Sequence, residues 1–423
     1  MKNLKTIIID FLVWSQKHTK ADMLYLAKGG FWVMCGQIVT GILSLALLVA
    51  FANLIPKETY GTYRYILSIA SILNIFTLTG MNAAVSRTVA RGGDGILKPA
   101  VIYQLKWNLL MCTAFFILGG YYLINHDIML AASYSVLGLF VPFTLALNTY
   151  GSFLEGKKAF MTANLLSVLS TIIYSIGILI TLLISGEVIF LVVVYAITTF
   201  ASSLVFYLYV AHMYKPLKID NPTETLRYGR TLTYIRLLGP ITSQIDKIII
   251  AHFWGPALLA TYSLAAAIPT KGVPALKKLV DIGFPKFAAK NRESINTVFY
   301  HRILQGLCIG TIITLLYIFI APYLFKYLLP QYIEGIFYSQ VLSLSFIFAL
   351  PTRYIGLLFE SQKMTKVTFI NTTINSIIAI LLYLGLGITG GIFGLVLAGV
   401  LHTFLGFMVN LISWRINSRP NPN

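Results

Sequence analysis

Long apolar stretches alternate with short polar connections along almost the whole chain. Twelve such stretches are long enough to cross about 30 Å of hydrocarbon. They run over Gly29–Leu54, Tyr65–Ala84, Pro99–Ile124, Met129–Phe153, Phe160–Ile184 and Val188–Ala211. The second set covers Leu232–Trp254, Leu258–Gly283, Val298–Ala321, Gly335–Leu358, Val367–Leu386 and Gly391–Trp414. None alternates with the period of two that a transmembrane strand requires, and each is about twice as long as such a strand. The pattern predicts an all-α polytopic membrane protein with about twelve transmembrane helices and no room for a soluble domain. Pro269, Lys271 and Pro274 interrupt the eighth stretch, so a break is expected there.

Charge orients these helices. The chain has 423 residues, 57% of them hydrophobic, with a mean hydropathy of +0.79 and a net charge of +18. Lys2, Lys5, Lys17, Lys20 and Lys28 precede the first stretch, and alternate connections collect most other cations. The opposite connections offer little beyond Lys57 and Lys326. The positive-inside rule then places both termini in the cytoplasm, and the basic balance calls for no nucleic-acid partner. The apolar segment Thr6–Trp14 is short, is interrupted by Asp10 and lacks a small-residue cleavage site, so it does not read as a secretory signal. Cys35, Cys112 and Cys308 fall singly in separate spans and read as small buried hydrophobes, neither a disulfide framework nor a metal set.

A weak internal repeat divides the chain. At an offset of 199 residues Gly30, Ser44, Tyr63 and Arg87 map onto Gly229, Ser243, Tyr262 and Lys286. Leu154-Glu155-Gly156-Lys157-Lys158 is answered by Phe359-Glu360-Ser361-Gln362-Lys363. The expected organisation is a cytoplasmic segment over 1–28, a six-helix lobe over 29–211 and a linker over 212–231. A second lobe over 232–414 and a tail over 415–423 complete it. An even number of helices per repeat leaves both lobes with the same orientation and a substrate site between them.

Several motifs carry a family likeness. Gly29-Gly30-Phe31, Tyr60-Gly61-Thr62-Tyr63-Arg64 and Ser86-Arg87 are three of them. Gln244-Ile245-Asp246-Lys247 and Ala260-Thr261-Tyr262-Ser263-Leu264-Ala265 are two more. Over nearly its whole length the chain resembles exporters of the multidrug/oligosaccharidyl-lipid/polysaccharide (MOP) superfamily, and within it the polysaccharide-biosynthesis, Wzx-type branch. The resemblance implies a MATE-like fold, two six-helix lobes around a central cavity, and a polyprenyl-diphosphate-linked sugar as substrate.

Polar residues inside the spans supply the candidate sites. Arg64, Ser68, Ser71 and Asn82 recur at helical steps, and the first and seventh spans carry stripes of their own. Such stripes fit either a hydrated cavity or hydrogen bonds between helices. Arg64, Arg236, Lys271 and Arg353 are candidates for a cationic cavity that would hold a diphosphate, Arg bidentately and Lys as a point charge. Carbonyls freed by Pro351 are expected to solvate Arg353. Asp246 is the one acid near the middle of a span, a candidate proton carrier, sodium ligand or partner of a cavity cation. Some lipid-precursor flippases of the superfamily hold sodium with an Asp on the seventh helix and an Asn-x-x-x-Asp pair on the eleventh. Asn371 matches the first member of that pair, and Asn375 stands where the second Asp would be. Arg87 with Arg91 and Lys286 with Lys290, each four apart, form a cytoplasmic rim that attracts an anionic lipid-linked substrate or anchors on head groups.

Three function classes compete. The first is a flippase for lipid-linked oligosaccharide in the inner membrane of a prokaryote, serving O-antigen or capsule assembly with a polysaccharide polymerase as partner. The second is a MATE-like cation-coupled multidrug exporter, which would want acids and aromatic residues in its cavity. The third, a membrane enzyme, finds no cluster among six histidines and no sizeable outer loop to carry catalytic groups. Gly151–Lys158 nearly spells a nucleotide-binding loop but ends in Lys and joins two spans, so ATP-driven transport is not expected. The chain therefore reads as a transporter without a resident cofactor or metal, with sodium or a proton as the candidate coupling ion. The topology is directly testable. A green fluorescent protein fused after Asn423 should fluoresce and alkaline phosphatase fused there should be inactive, and the reverse pair would invert the orientation.

Overall fold

The computed structural model describes residues 23–215, 222–235, 237–281, 292–362 and 364–417. Every regular element among them is helical. In chain order these are α1 (Met23–Leu54), α2 (Lys57–Leu73), α3 (Met81–Ala90), α4 (Leu97–Ile124), α5 (Ile128–Leu147), α6 (Thr149–Gly156), α7 (Phe160–Ile184) and α8 (Val188–Tyr214). They continue as α9 (Thr223–Ile235), α10 (Gly239–Thr242), α11 (Ile245–Trp254), α12 (Pro256–Asp281) and α13 (Arg292–Leu328). The last are α14 (Ile336–Ser343), α15 (Ser345–Ser361) and α16 (Thr365–Asn417). Eight helical segments among the described residues are long and apolar enough to span a membrane, nine when the bent pair α2/α3 counts as one. The chain is a multi-pass membrane protein.

Breaks separate this picture from a set of straight rods. The predicted second span divides at residues 77–80, and its halves meet at 59°. The predicted seventh span divides into α9, α10 and α11, with Gly239 and Pro240 opening the short middle piece. The predicted eighth span does the opposite. α12 runs through Pro269 and Pro274 without interruption, so the expected break is absent. α16 contains the predicted eleventh and twelfth spans, parted at Gly391, whose φ of 62° and ψ of −150° suit only glycine. The near-nucleotide-loop segment is the end of helix α6, with Lys157 ion-paired to Asp94 in the 3-10 turn just before α4.

The residues fall into two compact units, Gly29–Ala260 and Thr261–Asn423, the latter together with residues up to Lys28. In the first, α4 packs on α5, α5 on α8 and α7 on α8. Its core joins Met81, Val85, Leu97, Phe153, Leu154 and Phe206. α9 lies on α3 and α11 on α2. The second unit packs α13 against α15 and α15 against α16. Trp414 closes its core, stacked on Phe299 at 5.7 Å and tilted against Phe359 at 5.8 Å. The cysteines do not all sit inside as expected: Cys35 and Cys112 are half-buried and Cys308 is exposed.

One close approach fixes α2 against the start of α12. A Cβ on Gly61 would sit 1.7 Å from the carbonyl oxygen of Pro256, whereas one on Gly41 would meet nothing within 4 Å. Gly61→Ala should therefore destabilise the protein by about 1–3 kcal/mol through forced backbone shifts. Gly41→Ala should be neutral or stabilising by a few tenths of a kcal/mol up to about 1 kcal/mol. Thermal melts of the two variants in detergent check this, and equal melting temperatures would remove the contact from the account.

Candidate functional site

Arg64 lies in the third turn of α2, below Tyr60 and Tyr63. Both tyrosines are buried and both rest on Phe51 of α1, at ring distances of 5.1 and 5.4 Å. Tyr174 of α7 and Tyr195 of α8 meet edge to face at 5.8 Å. The Arg64 guanidinium interacts electrostatically with Tyr60, Tyr63, Tyr174 and Lys247, which brings α2, α7 and α11 of one unit to a single polar cluster. Its Nε is buried without a hydrogen-bond partner among the described residues. The Arg64 side chain is half-buried, with its Nε inside the cluster. Ser68 donates to the Arg64 carbonyl at 2.8 Å, so this member of the polar stripe stabilises backbone.

The break before α11 delivers the second half of the cluster. Asp246 is 8% exposed in the first turn of α11, beside Lys247. Lys247 Nζ donates to Gln244 Oε1 at 2.7 Å and to the Ser243 carbonyl at 3.3 Å. Two cations and one carboxylate, ringed by tyrosine hydroxyls, leave a net positive site of the kind that holds anionic and hydroxyl-rich ligands. Lys247 and the tyrosines were missed in the sequence. Lys247 follows Asp246 and reads as its neighbour rather than as a partner of Arg64, and the tyrosines look like ordinary core aromatics until three helices converge.

The remaining candidates are distributed. Lys271 is exposed on α12 and Arg353 half-buried on α15, both in the second unit. Arg353 is held by a carboxylate further along its own helix: Nη1 donates to Glu360 Oε1 at 2.8 Å. Arg236, Lys286 and Lys290 lie outside the described residues. Arg87 is exposed on α3 with its guanidinium 4.9 Å from the Tyr228 ring centre on α9, and Arg91 caps the same helix. Asn371 is buried in α16, donating to Asn410 Oδ1 at 3.1 Å and accepting from Ser413 Oγ at 2.7 Å. Asn375 follows one turn on, its Oδ1 buried without a hydrogen-bond partner among the described residues. Asp246 belongs to one unit and the two asparagines to the other.

A family model described as "polysaccharide biosynthesis protein" matches residues 26–271, more than half of the chain. The chain belongs to the polysaccharide biosynthesis protein family. No curated protein matches it. Among solved structures, this family member is similar to the lipid II flippase MurJ in an inward closed conformation, with 15% identity, 93% of this chain and 89% of that chain covered, and a TM-score of 0.72. It is also similar to an outward-facing multidrug resistance MATE family transporter of the MOP superfamily, at 17% identity, coverage of 93% and 95%, and a TM-score of 0.57. A MOP superfamily transporter from Pyrococcus furiosus, described by the reversed polarity of its binding pocket, matches at 18% identity, coverage of 94% and 96%, and a TM-score of 0.56. At these identities the likeness establishes the fold alone, one that transporters of the MOP superfamily share. The resemblance read from the motifs therefore holds, while the number of membrane crossings rests on how the broken helices are counted.

Proposed function

We propose that this family member flips a polyprenyl-diphosphate-linked oligosaccharide across the inner membrane of a prokaryote, by alternating access, for O-antigen or capsule assembly. The cluster around Arg64 is the observation that carries the reading. An ionisable side chain in an apolar span is costly, and one whose Nε is buried without a hydrogen-bond partner among the described residues is poised for a ligand. Arg64 and Lys247 meet the diphosphate, Arg through paired N–H groups and Lys as a mobile point charge. The Tyr60, Tyr63, Tyr174 and Tyr195 rings and hydroxyls suit the sugar, which offers both apolar faces and hydroxyl groups. Arg236, Lys271 and Arg353 supply further cations along the path, and Arg87 and Arg91, with Lys286 and Lys290, gather the anionic head group at the cytoplasmic rim. Asp246 takes the coupling ion, a proton or sodium. A polysaccharide polymerase receives the product on the far side. This is transport without covalent chemistry, in keeping with the flippase and transporter structures that share the fold.

The buried Asp246 and the aromatic ring cluster favour a second reading, a MATE-like exporter of organic cations. A deletion in the native host separates the two. Complete polyprenyl-diphosphate-linked oligosaccharides should accumulate facing the cytoplasm, with surface polysaccharide lost. An Arg64→Ala copy should restore under about a tenth of the surface polymer, the loss expected for a charge-assisted contact of about 1.5–3 kcal/mol. Normal lipid-linked pools together with new sensitivity to cationic dyes would replace the flippase with the exporter.

A further inference from the structure

The second unit contains a cavity of about 400 Å³ among α12, α15 and α16, apart from the Arg64 cluster. Lys277 and Arg353 both line it, with Glu360 as the one carboxylate. Glu360 is already engaged: its two oxygens lie 2.8 and 3.5 Å from the Arg353 guanidinium nitrogens. Lys277 has no carboxylate partner among the described residues. Among the described residues, the charged groups that interact electrostatically with it are Arg353 and His402, both basic. Two cations lining one cavity repel, and among the described residues that line it Glu360 is the one carboxylate against them.

The neutral polar groups complete the picture. Asn371 has both ends of its amide committed, to Asn410 and Ser413, and acts as scaffold. Thr352 Oγ1 and Asn375 Oδ1 are buried on the wall of the same cavity without a hydrogen-bond partner among the described residues. Asn375 can present its NH2 by rotating the amide, and Thr352 its hydroxyl proton. A sodium ion would need oxygens and negative charge at this place and would meet an ammonium and a guanidinium instead. We infer that this cavity is an anion site: it binds a phosphate-type oxyanion between Lys277 and Arg353, with Thr352 and Asn375 as hydrogen-bond donors. The oxyanion is either free or carried on a lipid head group. Arg353 is shared with the substrate path of the flippase reading, but the inference rests on the polarity of this cavity and on no particular substrate.

The test uses the purified full chain. Calorimetric titration with sodium phosphate in detergent, at constant sodium, should give saturable binding that weakens about tenfold or more in Lys277→Gln and is retained in Lys277→Arg. Asn375→Asp, which places a carboxylate among the cations, should abolish the binding and raise the melting temperature, so it reports even if Lys277→Gln folds poorly. A lipid-borne source shows differently. Free phosphate then gives no heat, but phosphatidylglycerol is retained over phosphatidylcholine in native mass spectra, and the preference falls in Lys277→Gln and Asn375→Asp. The inference is overturned if neither phosphate nor phosphatidylglycerol binding changes in the two variants. It is equally overturned if sodium chloride, compared with choline chloride, stabilises the wild type and the effect disappears in Asn375→Ala.

Discussion

The interior of a bilayer offers no hydrogen-bond partners, so every polar group that enters it must be satisfied by the chain itself. That constraint explains why the described backbone is helical almost throughout. It also explains the hydroxyls: Thr62, Ser68, Thr113, Thr144, Thr181 and Thr198 each donate to a carbonyl one turn earlier. The longer polar side chains reach across instead. Gln104 donates to Thr149 at 2.6 Å and Asn108 to the Pro142 carbonyl at 2.6 Å, each joining two helices where neither could be hydrated.

A break in a span exposes backbone that has lost its helical partner, and the chain compensates from a neighbouring helix. At the start of α3 the N–H of Gly80 has no carbonyl four residues back, and Thr233 of α9 accepts it at 3.0 Å. The same contact is reinforced by Thr88 and Thr225, whose hydroxyls lie 2.9 Å apart. So the bend between α2 and α3 and the break around residues 236–244 are not independent defects. The helix that ends at one of them supplies the hydrogen bond missing at the other, and α11 then brings Asp246 and Lys247 to α2.

Charge is arranged around these irregularities. Arg64 lies on α2 before the bend, Asp246 opens α11 after the break, and Arg353 follows the proline within α15. In each case a side chain that is costly in lipid occupies a place where backbone geometry or a second polar side chain can share the burden. The two units differ in how they do it. In the first, tyrosines surround the cations; in the second, asparagines and a threonine do, and the acid at the end of α15 holds the arginine.

Membrane class and family were legible because hydrophobic length acts locally, residue by residue, and survives without knowledge of packing. Arg64 and Asp246 could be picked out for the same reason, since an ionisable residue in an apolar run stands out by composition alone. Their partners could not. Lys247 and Tyr174 are unremarkable on their own helices and become a site only when α2, α7, α8 and α11 converge. Two prolines misled, because α12 absorbs Pro269 and Pro274, while the second span turns at Gly80 and the seventh at Gly239 and Pro240. The resemblance offered Asn371 and Asn375 as ion-coupling residues, and packing places them on one cavity with Lys277 and Arg353, from helices distant in the chain. Sequence by itself determined that this chain crosses a membrane many times and what family it joins. Which cations share a cavity, and whether that cavity is positive or negative, was decided only by tertiary packing, because electrostatic energy depends on distance in space and not along the chain.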